Sequence, residues 1–148
     1  MRKILFIFLL ISTLGFAQTT EVIPNSNFIE KKELIFKDGK LHIEKKIFLE
    51  NGKNESIPVK LDFFGDETVL NFDLKKVDKI ILSAAENAKY KLKSPSTFRP
   101  YSIVIRPINK DYWYTNVFFS GENDYGAKKD SSSMAEIDNE GNVLKDYN

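Results

Sequence analysis

Residues 74–88 read LKKVDKIILSAAENA, and they decide the fold because two periods fit them. At helical spacing, Leu74, Val77, Ile81, Ala84 and Ala88 share one face, and Asp73 stands where an N-cap would. At strand spacing, Val77 to Ala84 is an extended run, and Ala85-Glu86-Asn87 turns into the alternation that follows. The neighbours are β-like and Ile80-Ile81 is β-branched, so the strand is preferred. That choice makes the chain all-β, a single antiparallel β-sandwich of seven to nine strands. The other choice makes it α+β, with one helix near 74–88 on a curved antiparallel sheet.

The surroundings of this stretch alternate with period two. Upstream, Leu41, Ile43, Ile47 and Leu49 share a face interrupted by Lys45, while His42, Glu44, Lys46, Phe48 and Glu50 point the other way. Asp38-Gly39 marks a type I′ hairpin between residues 33–37 and 41–49, and Asn51-Gly52 marks the next turn. Val59, Leu61 and Phe63 alternate with Lys60 and Asp62, and Leu70, Phe72 and Leu74 with Asn71 and Asp73. Downstream, Ala88, Tyr90 and Leu92 alternate with lysines, and Tyr101, Ile103 and Ile105 form one face before Pro107. Residues 112–120 carry Trp113, Val117 and Phe119 on one side and Tyr112, Tyr114 and Phe118 on the other, the pattern of a central strand. A closing hairpin is expected from 131–138 and 143–147 around Asn139-Glu140-Gly141-Asn142.

The chain begins as an export signal does. Arg2 and Lys3 precede eight apolar residues, Ile4 to Ile11, and Gly15-Phe16-Ala17 supplies the small residues a signal peptidase accepts. The apolar run is shorter than the ~20 residues of a membrane span. Residues 1–17 are therefore read as a cleaved signal, 18–30 as a flexible N-terminal segment and 31–148 as a single β-rich domain. With its Ile, Phe and Lys and the following Ala17-Gln18, this start resembles bacterial export signals, particularly those of Bacteroidetes. The expected location is periplasmic or secreted, without stable membrane insertion after cleavage.

Composition narrows the chemistry. The leader carries two of the 22 basic residues and none of the 21 acidic ones, so the mature chain has a net charge of −1. That balance offers no field for nucleic acid. There is no cysteine, which removes thiolate catalysis and Cys-based zinc sites. The single histidine, His42, lies on the wet side of a strand without a nucleophile elbow in the sequence, and reads as a surface residue. Glu136, Asp138, Glu140 and Gly141 mimic positions 1, 3, 5 and 6 of a calcium loop, but position 12 falls on Tyr147, so a hairpin turn is the better reading. Glu122, Asn123 and Asp124 beside Gly126 form a second acidic loop of ordinary kind. No catalytic residue, cofactor or metal is assigned.

The aromatics of the last third are the remaining candidates. Tyr112, Tyr114, Phe118 and Tyr125 would serve as ligand-binding rings if their face is exposed, and as core if it is not. The expected role is a non-enzymatic protein-binding or accessory protein of the envelope or extracellular space. The alternatives are a small carbohydrate-binding module on those rings and a small hydrolase. N-terminal sequencing of exported material should begin at Gln18; a mature chain that keeps Ile4 to Ile11 would refute the signal reading.

Overall fold

The computed structural model describes residues 28–67, 73–122 and 125–147. The signal at 1–17, most of the N-terminal segment and the run at 70–72 lie outside the described residues. Residues Leu74–Tyr90 form a helix, α1, not the preferred strand. Its buried residues are Val77, Ile80, Ile81, Ala84, Ala85 and Ala88. Two adjacent pairs, Ile80-Ile81 and Ala84-Ala85, stand four residues apart. A strand would send one member of each pair to the opposite face, whereas a helix keeps both on one stripe. The Asp73 carboxylate accepts the Lys75 N–H at 3.0 Å and caps the first turn. The helix also absorbs Ala88 and Tyr90, so the alternation expected at 88–92 is not a strand.

Six strands make one sheet in chain order: β1 Lys40–Glu50, β2 Ser56–Asp66, β3 Arg99–Pro107, β4 Tyr112–Glu122, β5 Lys128–Asp138 and β6 Val143–Asp146. The protein is β-rich as expected, with the helix of the α+β alternative; among the described residues no second sheet packs on the first. Neighbouring strands are antiparallel except β2 and β3, which run parallel because α1 carries the chain back between them. Among the described residues no helix is long and apolar enough to cross a membrane.

Asp38 and Gly39 both have positive φ, 54° and 71°, as a type I′ turn requires. The strand expected before that turn is reduced to one bridge, Lys37 to Lys40, and Lys31–Glu33 is a short 3-10 turn. Lys45 explains the difference. It interrupts the apolar face of β1, and the Glu33 carboxylate receives its ammonium at 2.8 and 2.9 Å. The segment before β1 therefore packs on the core instead of extending the sheet: Phe28 and Ile29 are buried, and Leu34 and Phe36 pack against the core cluster. The core lies between α1, this segment and one face of the sheet.

Trp113 is fully buried on that face, against Phe63 at 6.0 Å between ring centroids, and its Nε1–H donates to Asn139 Oδ1 at 2.9 Å. Trp113→Ala should cost about 3–5 kcal/mol, a large part of the roughly 5–15 kcal/mol available to a domain of this size. A thermal melt as high as the parent's would overturn the assignment.

The Phe28 N–H donates to Asp78 Oδ1 at 2.8 Å and ties the segment to α1. Burial pushes the Asp78 carboxyl up to about 6, with Asp73 adding to the rise and the Phe28 N–H and Lys45 opposing it. A folded value above the ordinary one means that the fold favours the protonated acid. This contribution to stability is complete below about pH 4 and is lost as pH rises through 6. Two pH units correspond to about 3 kcal/mol; for a partly buried group screened by solvent we take about 1 kcal/mol. Asp78→Asn keeps the acceptor and removes the charge. It should therefore unfold at higher urea than the parent at pH 7 and at similar urea at pH 4. A variant weaker than the parent at pH 7 would contradict this.

Candidate binding face of the sheet

The side of the sheet away from α1 is set by register, since partners across a ladder point the same way. On β1 and β2 it carries His42 opposite Phe64, Glu44 opposite Asp62, Lys46 opposite Lys60 and Phe48 opposite Pro58. Through Asp62 opposite Val104 it continues onto β3, and through Val104 opposite Asn116 and Arg106 opposite Tyr114 onto β4. Tyr114 faces Glu136, and Phe118 faces Ser132, on β5. Phe48 is 61% exposed, Tyr101 46% and Phe64 41%.

Three of the four expected aromatics come together here. Tyr112, Tyr114 and Phe118 form a half-buried row along β4. Tyr125 stands apart in the β4–β5 connection, 95% exposed. Among the described residues the row is not covered on both sides, as a central strand apolar on two faces would suggest. Trp113 and Phe119 fill the core, and the tyrosines beside them face outward.

Tyr101 corrects a second expectation. By alternation it should share the core face of Ile103 and Ile105, but the register slips between Pro100 and Ser102. The extra residue re-aims the ring, as bulges do. Tyr101 lies 6.4 Å from Phe118 at an interplanar angle of 35° and borders a shallow depression of about 430 Å³ with Glu44, Lys46, Pro58 and Lys60. Phe48 and Phe64 complete the face; the opposite parity to the buried residues of β1 and β2 was their sequence signal.

Several ring faces already have partners. The Arg106 guanidinium sits 4.8 Å above Tyr114, His42 stacks on Phe64 at 4.4 Å and 6°, and Lys145 lies 4.5 Å above Tyr147, whose hydroxyl bonds to Glu136. The charges pair as well. Lys60 Nζ is 3.0 Å from Glu44 Oε2 and 3.3 Å from Asp62 Oδ2. The hydrogen bond from Lys60 holds the Glu44 carboxyl below its ordinary value, and the same bond raises the ammonium. His42 Nε2 faces Asp62 Oδ1 at 3.9 Å.

The loop that mimics a calcium site is a turn. The Asp138 carboxylate accepts the Glu140 and Asn142 N–H groups at 2.8 Å and the Asn142 side-chain amide at 2.9 Å. These bonds, the side-chain amide's first, hold its carboxyl below the usual range. Glu140 faces Lys76 and Lys79 of α1. At the edge of the sheet, a groove of about 570 Å³ runs between α1 and β1, bordered by Phe28, Phe48, Leu49, Leu82, Ala85 and Phe98.

No protein-family model, no curated protein and no solved structure matches the chain.

Proposed function

We propose that this is an exported, non-enzymatic binding protein that docks an envelope or extracellular protein on the uncovered face of its sheet. The observation that carries the reading is that face itself. Phe48, Phe64 and Tyr101 are exposed there, Tyr112, Tyr114 and Phe118 are half-buried, and the charges between them are mostly paired. Aromatic side chains and arginine are the residues enriched where proteins meet. Size agrees. Strands of about 30 Å, spaced about 4.8 Å apart, make a six-stranded surface of roughly 700 Å², close to the ~800 Å² one partner contributes to a standard interface. Export rests on the leader sequence.

The carbohydrate reading is less well supported. A sugar platform needs free, flat rings, but the Tyr101 and Phe118 rings are inclined by 35° and the face of Tyr114 is occupied by Arg106. The hydrolase reading lacks its acid, because the facing carboxylates of Glu44 and Asp62 share the Lys60 ammonium on an open surface.

Photocrosslinking side chains placed at Phe48 and Tyr101 should give discrete protein adducts in the source cell, whereas one at Tyr90, an exposed helix position, should not. Equal adducts at all three positions would defeat the proposal. Retention on envelope polysaccharide that disappears with Tyr112→Ala or Tyr114→Ala would replace it with the sugar-binding reading.

A further inference from the structure

One corner of the open face has the composition of a metal site. Glu44 and Asp62 are directly opposite on β1 and β2, and His42 is two residues along on the same side. One donor atom from each lies within 4.8 Å of the others, the one such group of three or more among the described residues. We propose that His42, Glu44 and Asp62 bind a divalent transition-metal ion of the zinc class, with Lys60 as the tethered cation that competes for the carboxylates. The proposal stands on this geometry and not on the identity of any docked partner.

Distance supports it first. His42 Nε2 and Asp62 Oδ1 are 3.9 Å apart. That is beyond the ~3.2 Å of a hydrogen bond and a little wider than the roughly 3.3 Å between two ligands of a tetrahedral ion with bonds of about 2.0–2.1 Å. A small side-chain rotation of Asp62 or His42 brings the two atoms to one ion.

The imidazole is also oriented. Its ring lies flat on Phe64, 4.4 Å between centroids and 6° between planes, with Nε2 directed to Asp62. The stack holds the ring plane and limits the reorientation that binding an ion would require. Both strands belong to an eleven-residue antiparallel ladder, so the three donors sit on a rigid backbone.

Lys60 is the third observation. Its ammonium lies between Glu44 Oε2 and Asp62 Oδ2, which shows that two carboxylates converge on a single cationic point. Asp62 divides its oxygens, Oδ2 to Lys60 and Oδ1 to His42. The Lys60 side chain is 49% exposed, so it can swing into water when a metal takes its place. One imidazole nitrogen with two carboxylate oxygens suits zinc, manganese, cobalt or nickel; calcium prefers six or more oxygens. Three protein ligands leave the remaining positions to water.

His42 is the only histidine of the chain, so its ring resonances report the site without overlap, provided the protein carries no histidine tag. Zinc chloride added to the mature protein should shift those resonances, and calorimetry should give one site. His42→Ala, whose melting temperature without zinc should match the parent's, is expected to weaken zinc binding about tenfold or more, as should Asp62→Asn. Lys60→Met should tighten it about three- to tenfold, since it removes the competing ion pairs. Histidine signals that zinc leaves unmoved, or His42→Ala binding zinc as the parent does, would overturn the site. A Lys60→Met variant that binds no tighter would overturn the role given to Lys60.

Discussion

The seating of α1 on the inner face of the sheet is the contact on which the remaining structure depends. Val77, Ile80 and Ile81 supply the buried bulk, each contributing about 1.5–3 kcal/mol if fully removed from water. Ala84, Ala85 and Ala88 let the following turns approach the sheet closely. A single helix about 10 Å wide cannot cover six strands. Phe28 and Ile29 complete the cover near β1, and the Glu33–Lys45 pair secures the segment that carries them. With the core satisfied on one side, the opposite face of the sheet has no layer packed over it among the described residues.

That face is ordered before anything binds. Arg106 on Tyr114, His42 on Phe64 and Lys60 between two acids fix side chains that would otherwise sample many rotamers. A partner meeting such a surface loses less side-chain entropy on docking than it would on a loose one. The same pairings disfavour a sugar, which would have to displace a guanidinium or an imidazole to reach the rings.

Most of the sheet was legible in the sequence because period two survives in β1 to β5 wherever one side meets the core. Residues 74–88 were misread because neighbouring strands and β-branching outweighed a better signal. Apolar pairs recurring four apart, Ile80-Ile81 and Ala84-Ala85, belong to a helix stripe and not to a half-buried strand. At the site, Tyr112, Tyr114 and Phe118 were found by parity alone. Tyr101 was lost because a bulge inverts parity at that residue, and nothing in the alternation shows a bulge. Whether the outer face is covered depends on what packs there, which the strand pattern does not encode. The grouping of His42 and Glu44 with Asp62 was invisible for a related reason: it arises from cross-strand register, a property of the β1–β2 pair.

The parallel junction between β2 and β3 bears on how the chain finds its fold. Lys60 pairs with Ser102, whereas β1–β2 and the run from β3 to β6 are built from hairpins closed by short turns. Hairpins form in about 1–10 μs. The parallel pair must wait for a loop of roughly forty residues to close, and α1, which that loop contains, packs mainly on β4 and β5, so its burial needs the downstream hairpins as well. The helix thus spans the parallel junction and rests on the strands beyond it, so the two hairpin units of the sheet are joined through a contact distant from their shared ladder.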